Sequence, residues 1–89
     1  MMKNELALLY VNKPSINEFM EVTHNEYTLV NTIEVKLVQS KTETGISYIA
    51  FTNSNEVEVD MLIELNGRKF LIDDIEPLRR TLLYLKEVN

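Results

Sequence analysis

The chain has 89 residues, of which 45% are hydrophobic and 26% charged, and it carries a net charge of −5 at neutral pH. That size and composition describe one folded domain with one small core, not a disordered segment. With no cysteine, disulfides, thiolate chemistry and cysteine-ligated metal are excluded.

In chain order, residues 5–11 read as a short apolar strand, with Leu6, Leu8 and Tyr10 on one parity. A helical turn competes there, because Glu, Leu and Ala are good helix formers. Lys13-Pro14 interrupts the pattern. Ser15-Ile16-Asn17-Glu18 then has capping-box spacing ahead of Phe19 and Met20, which predicts a short helix over residues 15–21. A strand through residues 19–24 is the competing reading. Residues 27–39 predict a long strand with Tyr27, Leu29, Ile33, Val35 and Leu37 on one face, and Asn31 marks a bend or bulge in it. The polar residues Ser40, Lys41, Thr42, Glu43 and Thr44, ending at Gly45, form a loop into a third strand over 46–52. Apolar residues on both parities of that strand, Tyr48 and Ala50 against Ile49 and Phe51, predict cover on both sides. Residues 52–55 are a loop.

The clearest pattern follows. Val57, Val59, Met61, Ile63 and Leu65 alternate with Glu56, Glu58, Asp60 and Glu64, the period of a strand with one buried and one wet face. Asn66-Gly67 suits the positive φ angles of a type I′ hairpin turn. A two-residue turn fixes the register: Leu65 faces Arg68, Glu64 faces Lys69, Ile63 faces Phe70, Leu62 faces Leu71 and Met61 faces Ile72. Continuing outward would set Asp60 against Asp73 and Val59 against Asp74, so the ladder is expected to end or bend near Asp60. In the last segment, Pro77 at a helix start and the spacing of Leu78, Leu82 and Leu85 favour a helix by local rules. A strand over residues 80–88 competes. The predicted class is all-β, a small five- to six-stranded antiparallel barrel or rolled sheet in one domain, with room for a short N-terminal helix.

Little in the chain suggests catalysis. His24 is the only histidine and lies among polar residues, as a surface-loop histidine does. Glu56, Glu58 and Asp60 occupy the wet face of a strand, and Asp73, Asp74 and Glu76 lack the glycine-punctuated spacing of a calcium loop. Gly45 and Gly67 are the only glycines, too few for a phosphate-cradling loop. The expectation is a non-enzymatic protein with no cofactor and no metal. Basic residues are scattered apart from Arg68-Lys69 and Arg79-Arg80, which argues against general nucleic-acid binding. No apolar run approaches the ~20 residues needed to cross a bilayer, and Met1-Met2-Lys3-Asn4-Glu5 leads into no signal-peptide pattern. Synthesis in a cytoplasm, without a membrane partner, is therefore expected.

The C-terminal half resembles a known family. An aromatic-containing strand, Ile46-Ser47-Tyr48-Ile49-Ala50-Phe51-Thr52, precedes Met61-Leu62-Ile63-Glu64-Leu65-Asn66-Gly67-Arg68-Lys69-Phe70-Leu71-Ile72. Asp74-Ile75-Glu76-Pro77-Leu78 and Leu83-Tyr84-Leu85-Lys86-Glu87-Val88 complete the order. This cadence resembles the small head-completion, or head–tail joining, proteins of tailed bacteriophages, the stopper-type connector subunits. The resemblance implies a β-barrel subunit that forms a homo-oligomeric ring in the virion at the head–tail interface. Its implied partners are the portal or adaptor proteins, the tail-terminator or tail proteins, and packaged DNA passing without sequence-specific contacts. It also implies that residues 81–88 are a closing strand, against the helical reading. In that family an extended loop reaches into the channel as a plug. The matching residues here, Ser40, Lys41, Thr42, Glu43 and Thr44, are few, so joining transfers more readily than gating. An ordinary hairpin turn is the alternative for that loop. A tail-completion protein, or a small-barrel binding module for nucleic acid or peptide, are the alternative functions.

Overall fold

The computed structural model describes residues 4–88. These described residues form eight strands: β1 (Glu5–Asn12), β2 (Ser15–Ile16), β3 (Val22–His24), β4 (Tyr27–Thr42), β5 (Gly45–Thr52), β6 (Leu62–Leu65), β7 (Arg68–Pro77) and β8 (Thr81–Val88). Six of them close a barrel in the order β1-β4-β5-β8-β7-β6, while β2 and β3 make a separate two-stranded sheet. Every neighbouring pair is antiparallel. Closure falls to the short β1–β6 ladder, Leu8↔Glu64, Leu9↔Ile63 and Tyr10↔Leu62, and it removes the free edges that an open sheet would present.

Period two fills the interior. Ala7 and Leu9, Ile33 and Val35, Ala50, Ile63 and Leu65, Phe70 and Ile72, and Leu83 and Leu85 form one buried cluster. Phe70 is the largest fully buried side chain among the described residues, and Tyr48 meets it edge-on with ring centroids 5.2 Å apart. The expected hairpin register is the observed one, from Leu65↔Arg68 to Leu62↔Leu71. Asn66 (φ 53°) and Gly67 (φ 80°) both occupy the left-handed region the turn needs. Residues 81–88 are a strand, paired with β5 and β7, so burial between two neighbours overrides their helical spacing.

Two bulges reset which face is inward. Leu9 pairs with Asn31 and Tyr10 with Leu29, which leaves Val30 as the extra residue beside the expected break at Asn31. In consequence the expected single apolar face of β4 is corrected. Ile33 and Val35 point inward, but Leu29, opposite Tyr10, lies on the outer side and is exposed. On β7, Ile72 pairs with Leu85 and Asp74 with Tyr84, so Asp73 is the extra residue. That bulge carries the inward set from even positions, Phe70 and Ile72, to the odd position Ile75.

Three further expectations are corrected. Among the described residues there is no helix. Residues 15–21 instead form β2, a turn and the approach to β3, with Ser15↔His24 and Ile16↔Val22 as pairs. A seven-residue helix is marginal without a core to pack on, and here none is adjacent. The competing strand over 19–24 holds only for Val22–His24. The strand expected from Glu56 is shortened to Leu62–Leu65, because Asp60 turns to φ 74° where the ladder would set it against Asp73. Even so, Val57 and Met61 are buried and Ile72 N donates to Met61 O at 2.8 Å, so residues 53–61 fold back over one end of the barrel. Finally, the polar loop from Ser40 is mostly strand: Ser40, Lys41 and Thr42 belong to β4, and only Glu43 and Thr44 turn.

Candidate functional site

β4 is the spine of the molecule. Its 16 residues, at ~3.3 Å each, extend about 50 Å, and the longest dimension of the molecule is 50 Å. The first half pairs with β1 and the second half with β5, the changeover being at Val35. Each half runs past the barrel into a hairpin, and the two hairpins leave from opposite ends. They account for a radius of gyration of 14.1 Å, against about 12 Å for a compact chain of this length.

The first hairpin, the arm, spans residues 13–26. Lys13 N donates to Glu26 O at 2.7 Å, and the β2–β3 pairs continue outward. Its tip is built on Asn17, whose Oδ1 accepts from Phe19 N at 2.9 Å and from Glu21 N at 3.0 Å. Backbone bonds from Asn17 N to Glu21 O and from Met20 N to Asn17 O, both 3.0 Å, close the same turn. Met20 adopts φ 64°, a conformation costing a non-glycine residue on the order of 1–2 kcal/mol. The side chains held there face solvent: Phe19 is 73% and Met20 79% exposed, and Ile16 and Val22 are also exposed. None of them joins the core cluster. Glu18 and Glu21 flank the apolar pair.

His24 lies on β3 of this arm, not in a loop as expected. Its Nε2 is 2.9 Å from Glu26 Oε1 and 3.1 Å from Ser15 Oγ, so it laces the arm's base. Local patterning missed the arm as a unit. The available signal was the pair of polar brackets, Asn12-Lys13 and Asn25-Glu26, on either side of the apolar pair Phe19-Met20.

The second hairpin, the finger, carries the candidate channel residues Ser40, Lys41, Thr42, Glu43 and Thr44. β8 accompanies β5 only as far as Tyr48↔Leu85, so beyond that point β4 and β5 have only each other on this side. Residues 39–47 are exposed. Thr42 Oγ1 donates to Gly45 O at 3.0 Å and lies 3.2 Å from Thr44 Oγ1, which stiffens the turn. The Asn66–Gly67 turn is at the same end, since β6 leads into it and β7 leaves beside the end of β8.

Between finger and core, Arg68 caps the barrel. Its Nε and Nη2 donate to Glu87 at 2.8 and 2.9 Å, and Nη2 donates to Tyr48 OH at 2.8 Å. The guanidinium lies 5.1 Å from the Tyr48 ring and 5.3 Å from the Phe70 ring. Hydrogen bonding to Glu87, then to Tyr48, raises the Arg68 pKa, and the same bond to Arg68 holds Glu87 below the usual carboxylate range. Elsewhere, burial and then Glu64 raise Tyr10, and a 2.7 Å bond to Glu76 raises Tyr84.

The acidic clusters do not converge. Asp74 Oδ1 accepts from Ile75 N, Glu76 accepts from Tyr84, and Glu56 accepts from Asn31 at 2.8 Å. No group of three metal-ligating side chains assembles among the described residues. Models of known protein families and curated proteins give no match to the chain. What the arrangement offers is a closed barrel with an apolar-tipped arm at one end and a polar finger at the other.

Proposed function

We propose that the protein is a non-enzymatic structural subunit of a bacteriophage head–tail connector, which joins head to tail and closes the DNA-filled head after packaging. The observation that carries this reading is the two-ended geometry: a closed barrel traversed by one strand that ends in a hairpin on each side. A subunit built into an assembly needs elements that project from its barrel toward its neighbours, and this chain carries a different one at each end. The resemblance of the C-terminal half to stopper-type subunits supports the same role, with portal or adaptor proteins on one side and tail proteins on the other. In this reading the finger, at Ser40, Lys41, Thr42, Glu43 and Thr44, is the candidate to reach a channel, and its two-residue turn favours joining over plugging. A net charge of −5 also suits a conduit. An acidic lining repels the duplex and lets it slide, where a basic one would retain it. In this role the protein is made in the bacterial cytoplasm and resides in the virion.

Electron microscopy of particles from a phage lacking the gene tests the role. Free tails beside heads that have lost their DNA are the expected result. Full heads beside free tails would reassign the protein to tail completion. Normal infectious particles would overturn the connector reading. A barrel that binds nucleic acid is the reading then left to test by filter retention at varied salt.

A further inference from the structure

The arm tip and the β7–β8 turn are complementary, and they lie on opposite sides of the barrel. The tip presents Phe19 and Met20 between Glu18 and Glu21, and neither carboxylate has an ion-pair partner among the described residues. The turn presents a shallow apolar cleft lined by Phe51, Leu78, Arg79 and Arg80. Leu78 is exposed, and Phe51, paired with Leu82 on the outer face of β5 and β8, is half-buried. Arg79 and Arg80 have no carboxylate partner among the described residues, and Arg80 Nε is buried with no hydrogen-bond partner. Two orphaned guanidiniums beside an apolar cleft match two orphaned carboxylates beside an apolar tip.

Placement decides who fills the cleft. In the barrel order β1-β4-β5-β8-β7-β6, the arm springs from the β1–β4 pair and the cleft lies at the β7–β8 turn, halfway round. The β2–β3 sheet is separate from the barrel, and its apolar side chains stay out of the core cluster and exposed, so the occupant is not the same copy. We infer that the arm tip of one copy docks in the Phe51–Leu78–Arg79–Arg80 cleft of a second copy. Donor and acceptor surfaces that differ and sit on opposite sides make a heterologous contact, which propagates and closes as a ring where the rotation permits. The left-handed φ of Met20 fits this assignment, since strain that presents an apolar side chain to water is characteristic of a binding element. The inference deepens the connector reading by naming the contact of its ring, and rests on that reading only for ring closure.

The absence of native cysteine makes the test direct. Met20→Cys protein is mixed with Leu78→Cys protein under mild oxidation. The expected product is a 20–78 disulfide heterodimer from the mixture, with little product from either alone. A disulfide homodimer formed as readily by the Met20→Cys protein alone would overturn the inference in favour of a symmetric tip-to-tip contact. Charge reversal gives a second measurement. Glu18→Lys with Glu21→Lys, and Arg79→Glu with Arg80→Glu, should each weaken self-association by roughly two orders of magnitude in sedimentation equilibrium. Mixing the two variants should restore it, because each then offers the other the opposite charge. Wild type that stays monomeric at every concentration sinks the contact, and so does monomer captured through its tip by neutral phosphatidylcholine vesicles. Those results leave the connector role to the particle phenotype. Normal particles from the gene deletion sink that role and leave the contact intact.

Discussion

Thr52 is the one buried polar side chain among the described residues, and its hydroxyl ties three segments. Oγ1 donates to Glu34 O at 2.8 Å and accepts from Ser54 N at 3.2 Å, so the end of β5 is fastened to β4 and to the loop that follows. Thr52→Val keeps the shape and removes both bonds. A loss of about 1–3 kcal/mol in urea denaturation is expected, with Thr52→Ser closer to wild type. Equal costs for the two variants would place the effect in packing. At the opposite end, Glu87 is held below its ordinary range by Arg68. The unfolded chain therefore takes up the proton first as pH falls. The stabilisation is complete above the unfolded glutamate value, about 4.3, and is lost as pH falls through the lower folded value. Glu87→Gln should flatten the acid limb of a stability–pH curve. An unchanged acid limb would show that the ion pair does not contribute.

Elements divide into those that build the core and those that serve something outside it. β7 belongs to the first kind: Phe70 is fully buried, touches Tyr48 edge-on and lies under Arg68. Phe70→Ala should cost about 3–5 kcal/mol, as aromatic truncations in close-packed interiors do. The arm belongs to the second kind. Because Lys13 N already bonds Glu26 O, replacing residues 14–25 by Asn-Gly should close the hairpin at its base with a two-residue turn. Thermal and urea unfolding of this variant should match wild type to within about 1 kcal/mol, the range of surface changes. A cost as large as that of Phe70→Ala would show that the arm supports the barrel and is not a docking element.

At the scale of the molecule, a small barrel spends little of its surface on its own core. Exposed large hydrophobics concentrate on the arm and its root, at Ile16, Phe19, Met20, Val22, Leu29 and Val30. Such a patch on a small chain marks an interaction surface. Its position at one end of β4, with the polar finger at the other, is why we read the chain as a subunit held between neighbours. Ring formation and joining are separable on this geometry. In the proposed assembly the arm and the β7–β8 turn would serve copies of the chain, while the finger, with the Asn66–Gly67 turn beside it, would be left for a different partner.

Local patterns determined a good deal. The β6–β7 hairpin was legible to the residue, because period two and an Asn-Gly turn leave one register compatible with apolar pairs on one face. The end of its ladder at Asp60 was legible too, from the facing acids. The break near Asn31 was visible, but not its consequence, since whether the extra residue turns Leu29 outward depends on how Tyr10 pairs with Leu62 across the closing seam. The β8 segment could not be settled locally, as its leucines satisfy both periods and only burial between β5 and β7 selects the strand. The arm reads as a helix by local rules for the same reason. Its capping-box spacing is a local signal, and the choice depended on the absence of any surface for a helix to cover. Sequence alone thus determined the strands whose partners lie a turn away. Tertiary structure decided barrel closure, the faces beyond each bulge and the projecting arm, because those depend on contacts between residues distant in the chain.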